Sequence, residues 1–177
     1  MTKYGEYIDL LRQMVRTPSL SFEEGKVSSL VSEALDSFGI EHSLPGGNIV
    51  SVTRHFDPLK KTMALDAHLD TVSASGGYTK DPFDPGDDEN IVRGLGSNDD
   101  GGSVVSMIAT FRHFYNIPLP FNLMLVLTRE EERSGPDGAR WLYAAGGGLE
   151  QSGVFPLPDW VIVGEPTGMK AATSERG

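Results

Sequence analysis

A chain of 177 residues with 38% apolar and 23% charged side chains has the size and composition of one globular domain with its own core. The formal net charge of −10 argues against a nucleic-acid partner, because phosphate backbones are bound by basic surfaces. The absence of cysteine excludes disulfides and thiolate chemistry. No apolar run approaches the roughly 20 residues that cross a bilayer, and no N-terminal signal pattern is present. We therefore expect a cytoplasmic protein without a membrane partner.

The first two predicted elements are amphipathic helices. Apolar side chains recur at helical spacing over residues 4–16, and again from about residue 21 to Gly39. Glu23 and Glu24 fall in the first turn of the second segment, where carboxylates interact favourably with the helix dipole. We interpret both helices as cover for a sheet, without a role in a site.

Four segments rich in β-branched and aliphatic residues are predicted to form strands, at residues 49–53, 62–67, 122–128 and 159–163. The second is almost wholly apolar, which is typical of a central strand buried on both faces. Helices are expected after the glycine-rich segment 94–103 and over residues 136–145. Residues 169–173 are expected to begin a further strand. This alternation predicts an α/β fold with a largely parallel sheet.

The segment 73–93 is rich in Gly, Pro and Asp and has little periodicity. A loop of this length in a compact domain is usually functional or mobile.

Side chains that can bind metal follow three of the predicted strands and precede one helix. They are His68, Asp70, Asp99, Glu131, Glu132 and Glu165. Sites in parallel α/β sheets form beyond the carboxyl ends of the strands, so we expect these side chains to converge. Taken singly, each has a simpler explanation: a structural histidine, a helix N-cap at Asn98 or Asp99, or a solvated helix start at residues 130–132.

One imidazole with several carboxylates is a ligand set that suits zinc, cobalt or manganese, and a carboxylate can bridge two ions about 3.5–4 Å apart. Because adjacent residues point in different directions, one of Glu131 and Glu132 can bind metal while the other reaches water as a general base. The remaining histidines, His42, His55 and His113, are expected to have no part in the site.

Five segments resemble, in order and spacing, the signature motifs of one metallopeptidase family. They are HLDTV at 68–72, DPF at 81–83, GLGSND at 94–99, TREEE at 128–132 and GEPT at 164–167. The family includes acetylornithine deacetylase, succinyl-diaminopimelate desuccinylase, aminoacylase and glutamate carboxypeptidase, and the chain looks closest to acetylornithine deacetylase-like proteins. Leu95, Gly101 and Tyr78 stand where Arg, Lys and Trp are common in the family.

The resemblance implies a cofactor of two divalent metal ions, zinc in the first place, with cobalt or manganese as alternatives. His68, Asp99 and Glu165 would bind the first ion, and Asp99 would bridge to the second. Glu132 would bind the second ion.

The resemblance also implies that Glu131 is the general base and that Asp70 orients the ring of His68. A cis peptide bond is implied between Asp99 and Asp100.

The fold implied is a three-layer, zinc-peptidase-like catalytic domain, of which residues 1–177 would be the N-terminal portion. Family members continue past this point with a lid and dimerisation domain, then return with the closing strands of the sheet and one more histidine ligand. We therefore expect an unpaired sheet edge prone to association, and the loss of one of the two ions. We also expect weak or absent activity in this length of chain and a homodimer for the longer protein.

The function implied is hydrolysis of N-acyl amino acids by metal-activated water, as in acetylornithine deacetylation within arginine biosynthesis. One alternative is a metal-dependent amino- or dipeptidase of the same fold, which would accept a dipeptide with a free N-terminus. Another is a non-catalytic metal-binding module, against which the intact Glu131 and Glu132 pair argues. An α/β domain without a site is the least favoured interpretation.

Overall fold

The computed structural model describes residues 4–173. Within that range two helices come first, α1 (Gly5–Arg16) and α2 (Gly25–Ser37). The strands are β1 (Ile49–Val52), β2 (Thr62–His68), β3 (Asn122–Thr128) and β4 (Trp160–Val163). The other helices are α3 (Gly101–Phe114), α4 (Ala139–Leu142) and α5 (Gly148–Gln151), with 3-10 turns at Pro45–Gly47 and Glu131–Arg133.

The strands form one sheet in the order β1-β3-β2-β4. β2 is parallel to both β3 and β4, whereas β1 is antiparallel to β3. The register pairs His68 with Thr128 and Asp66 with Val163, so the carboxyl ends of β2, β3 and β4 meet at one edge. The predicted α/β fold is confirmed, with a largely parallel sheet and an apolar strand near its centre.

The central strands β2 and β3 are covered on both faces, as their apolar sequences require. All seven residues of β3 are buried. On one face, Leu65 packs with residues of α1, α2 and α3. On the other face, Ala64 packs with Leu142 of α4 and Leu149 of α5. The result is three layers, with the carboxyl ends of the parallel strands left accessible at one edge.

Two helices begin at other residues than the sequence suggests, α2 later and α3 within the glycine-rich segment 94–103. α2 begins at Gly25 instead of near residue 21, which leaves Glu24 ahead of the helix and only 2% exposed. α3 begins at Gly101, so neither Asn98 nor Asp99 is its N-cap. Asp100 occupies that position without a side-chain capping hydrogen bond.

The predicted helix over residues 136–145 is wrong except for the four residues of α4. The Asp137 amide donates to Glu130 Oε2 at 3.0 Å, and the Asp137 carbonyl accepts from Asn48 Nδ2 at 2.8 Å. These tertiary hydrogen bonds hold the start of the segment in a non-helical turn.

The predicted strand at residues 169–173 is absent as well. Met169 has a φ of 61°, in the left-handed region, which an extended strand does not contain.

The long loop over residues 73–93 is tied to α1. The Arg12 guanidinium donates to the carbonyls of Gly86 and Asp88, each at 2.5 Å. One side chain therefore binds two nearby carbonyls of a segment that contains no helix or strand.

β4 lies at the edge of the described sheet, and its four residues are 40–59% exposed. Association through this edge stays a prediction. Across residues 4–173, no helix combines the length and apolar character needed to span a bilayer.

Candidate metal centre

His68 ends β2 and is 3% exposed. Its Nδ1 lies 2.9 Å from the backbone carbonyl oxygen of Asp70, and its Nε2 lies 3.0 Å from Asp99 Oδ1. A proton on Nδ1 donates to the Asp70 carbonyl, which leaves Nε2 as the ligand atom. The backbone carbonyl two residues after His68 therefore sets both the tautomer and the direction of the ring.

The Asp70 carboxylate is fully buried and accepts hydrogen bonds from two directions. Ser21 Oγ donates at 2.7 Å, and the amides of Glu131 and Glu132 donate at 3.0 and 3.1 Å. Its Oδ1 lies 3.5 Å from His68 Nδ1, beyond good hydrogen-bond geometry. The carbonyl of Asp70 thus contacts the imidazole, while its carboxylate holds the turn that carries the two glutamates.

The ligand-type side chains converge on His68 as the sequence predicts. Ligand atoms of His68, Asp99 and Glu165 lie within 4.8 Å of one another, and so do those of His68, Glu131 and Glu132. Glu131 Oε2 lies 4.0 Å from His68 Nε2. Five residues from four separate segments therefore meet at the carboxyl edge of the sheet.

The peptide bond between Asp99 and Asp100 is cis, which confirms the expectation drawn from the resemblance. The sequence did not single out Asp100 itself. This residue is 1% exposed, and its Oδ2 accepts the backbone N–H of His68 at 3.1 Å. The segment that carries Asp99 is thus hydrogen-bonded to the end of β2.

The site concentrates negative charge around one imidazole. Burial would lower the pKa of His68, but the neighbouring Asp70 and Asp100 outweigh it and raise that pKa to about 10. Burial raises the pKa of Asp100 to about 7. Burial and the charge of Asp99 raise the pKa of Glu132. These shifts have the direction expected of carboxylates crowded together without a cation between them.

A divalent cation fits this donor set. One imidazole nitrogen and several carboxylate oxygens are ligands that zinc, cobalt and manganese accept, and a cation would offset the repulsion between Asp99 and Glu132. Among residues 4–173, the other three histidines belong to no such cluster. The side chain of His42 is buried away from the site: it is 7% exposed, and its Nε2 lies 2.5 Å from Ser32 Oγ.

Two residues behind the site were missed or misread from the sequence. Glu130 was expected at a solvated helix start but is 2% exposed, and Glu24 was assigned only a helix-dipole interaction. The sequence cue to the buried position of Glu130 was the pair of glycines that follows it, Gly135 and Gly138, because the chain packs too closely there for a Cβ. A Cβ on Gly135 would lie 2.2 Å from Glu130 Oε2, and one on Gly138 would lie 2.3 Å from the Arg129 carbonyl.

Comparison with known proteins supports the resemblance. The model of peptidase family M20/M25/M40 matches residues 64–175. The uncharacterized YgeY protein of Escherichia coli (strain K12) is 29% identical over 171 residues, covering 94% of this chain and 40% of YgeY. Acetylornithine deacetylase of Edwardsiella ictaluri is 29% identical over 188 residues, covering 99% of this chain and 47% of that enzyme.

Among solved structures, human carnosine dipeptidase 1 has the same fold, with a TM-score of 0.68 at 19% identity over 90% of this chain and 38% of that one. The chain spans less than half the length of these proteins. With a family model matched over more than half of its residues and ligand-type side chains converging at the sheet edge, the chain belongs to peptidase family M20/M25/M40.

Proposed function

We propose that residues 1–177 are the N-terminal portion of the catalytic domain of a di-metal amidohydrolase that cleaves N-acyl amino acids. The observation that carries this proposal is the convergence of His68, Asp99 and Glu165 with Glu131 and Glu132 at one edge of the sheet. Family membership and the match to acetylornithine deacetylase over 99% of the chain support it.

In this proposal His68, Asp99 and Glu165 hold the first ion, and Asp99 is shared with a second ion held by Glu132. The ions are zinc, with cobalt or manganese as alternatives. When bound, divalent ions supply Lewis acidity that polarises an amide carbonyl and makes water more acidic. His68 can ligate only through Nε2 because the Asp70 carbonyl occupies Nδ1.

Glu131 is proposed as the general base. Its side chain is 47% exposed and its Oε2 lies 4.0 Å from His68 Nε2, so the carboxylate can contact both the ion site and a substrate. It would accept a proton from the attacking water and return it to the leaving amine. Asp70 would support this role by holding the amides of Glu131 and Glu132.

The finer parts of the proposal concern the whole protein. We propose an acetylornithine deacetylase-like substrate, a place in arginine biosynthesis, a cytoplasmic location, and a homodimer formed through a domain beyond this chain. The match to an acetylornithine deacetylase supports the substrate class. YgeY has the same 29% identity to this chain, so the acyl group is to be identified by comparing substrates.

The test is amine release by the complete protein from N-acetylornithine, N-succinyl-diaminopimelate and an unmodified dipeptide. We expect turnover of an N-acyl amino acid that a chelator abolishes and that added Zn²⁺, Co²⁺ or Mn²⁺ restores. Preference for the dipeptide would favour the peptidase alternative. Metal binding without turnover of any substrate would favour the non-catalytic module. The 177-residue chain, assayed in parallel, is expected to be weakly active or inactive.

A further inference from the structure

Four consecutive backbone amides at the end of β3 donate to buried side chains from three other segments. The acceptors are Asn48 Oδ1 for residue 129, Glu24 Oε1 for residue 130, and Asp70 Oδ1 and Oδ2 for residues 131 and 132, all at 3.0–3.1 Å. In a β-sheet such amides would donate to the carbonyls of a neighbouring strand. Here buried side chains accept them instead, and these hydrogen bonds hold the stretch that leads into Glu131 and Glu132.

Glu24 is the acceptor with the largest set of partners outside the metal centre. It is 2% exposed. Its Oε1 accepts the amides of Phe22 at 2.8 Å and of Glu130 at 3.1 Å, and its Oε2 lies 3.1 Å from Arg129 Nη2. The carboxylate thus joins the start of α2 to a turn that lies 106 residues further along the chain.

The residue that Glu24 holds has an unusual backbone conformation. Glu130 has a φ of 61°, in the left-handed region that non-glycine residues seldom adopt. Its own carboxylate is fixed as well, because Oε2 accepts the Asp137 amide at 3.0 Å and Oε1 lies 3.1 Å from Arg129 Nη2. One guanidinium therefore bridges the carboxylates of Glu24 and Glu130.

This position matters for the metal centre because it immediately precedes Glu131. A rotation of the backbone at residue 130 would redirect the two side chains that follow, and those side chains face His68. A displacement of about 1 Å at a reacting group can reduce a rate by a factor of about 100. A bond that fixes residue 130 therefore acts on the orientation of the site as well as on stability.

We propose that Glu24 is a positioning residue of the metal centre. Its carboxylate holds Glu130 in the left-handed conformation and so directs Glu131 and Glu132 toward His68. The inference rests on the proposed function, since it assumes that these side chains bind a cation. A purely structural Glu24 would affect unfolding but leave cation binding by the folded chain unchanged.

The test uses the 177-residue chain and Co²⁺ as the probe. Glu24→Gln keeps the size and one acceptor oxygen but removes the charge opposite Arg129. Glu23→Gln is the matched control, because it makes the same charge change at an exposed neighbouring residue. Each protein is titrated with Co²⁺ by calorimetry and by visible absorption, which reports the ligand geometry, and its thermal unfolding is recorded.

We expect Glu23→Gln to match the unaltered chain. We expect Glu24→Gln to fold but bind Co²⁺ about 10–100-fold more weakly, with an altered visible spectrum. In the complete protein, we expect the same variant to lower kcat while KM changes little.

A folded Glu24→Gln with the affinity and spectrum of the control would overturn the proposal. If Glu24→Gln does not fold, Glu24→Asp decides, because it keeps the charge but shortens the reach to the Glu130 amide. If Glu24→Asp binds Co²⁺ as the control does, Glu24 has a structural role only and the proposal is overturned. The same conclusion follows if neither variant folds. If the unaltered chain and Glu23→Gln also fail to bind Co²⁺, the metal centre itself is refuted.

Discussion

Asp70→Asn is the substitution that most directly probes how the metal centre is assembled. The carboxylate is fully buried and accepts the amides of Glu131 and Glu132 with separate oxygens, at 3.0 and 3.1 Å. Asparagine has nearly the same shape but only one acceptor oxygen. Whichever way the amide turns, its NH₂ group faces one of the two backbone N–H groups.

The magnitude follows from that mismatch. One charge-assisted hydrogen bond is lost and a buried donor faces another donor, which costs about 1–3 kcal/mol of unfolding free energy. For a domain of this size, 1 kcal/mol changes Tm by roughly 2–4 °C, so we expect Tm to fall by roughly 2–12 °C. Since the same bonds direct Glu131 and Glu132, we also expect Co²⁺ affinity to fall about 10–100-fold.

The assay pairs thermal and urea unfolding in the presence of chelator with Co²⁺ titration of the folded chain. Asp9→Asn is the matched control, because Asp9 is exposed on α1 and its side chain takes no part in the site. If Asp70→Asn matched Asp9→Asn in both measurements, the reasoning that the Asp70 carboxylate organises the glutamate turn would be refuted.

Three further predictions concern the site and its support. Glu131→Gln should lower kcat of the complete protein by about 10²–10⁴ while Co²⁺ binding to the chain, measured by calorimetry, persists; unchanged turnover would remove Glu131 as general base. Gly138→Ala should lower the unfolding free energy by about 1–3 kcal/mol, because its Cβ would lie 2.3 Å from the Arg129 carbonyl. Gly76→Ala has open space and should not change Tm, and equal Tm values for the two variants would contradict the steric argument. Burial raises the pKa of Asp66 to about 7, so between about pH 4 and that value the native state keeps a proton that the unfolded chain has released. The unfolding free energy of the metal-free chain should therefore fall as pH rises through this range. Asp66→Asn should flatten the dependence, and a slope unchanged by the substitution would count against a protonated Asp66.

Several features could be predicted from the sequence because they depend on local periodicity. Apolar runs at residues 62–67 and 122–128 predict strands buried on both faces, and β2 and β3 are such strands. Parallel strands share the edge at which they end, so placing His68, Glu132 and Glu165 after strands was enough to predict that they converge.

Other features could not be predicted because they depend on contacts between distant segments. Glu130 lies in a run of three carboxylates that resembles a solvated helix start, yet Glu24 and Arg129 hold it 2% exposed. The helix expected over residues 136–145 is shortened because Glu130 and Asn48 bind the backbone at Asp137.

The sequence by itself determined the strands, the identity of the ligand-type side chains and the edge at which they meet, because strand periodicity is local and parallel strands end at a common edge. The tertiary structure decided how those side chains are held. Burial reverses the expected roles of Glu24 and Glu130, since an acceptor removed from water must find donors within the protein. The amides that Glu24 and Asp70 accept belong to the turn that carries Glu131 and Glu132, so the chain's buried polar groups and its candidate metal centre are hydrogen-bonded to each other.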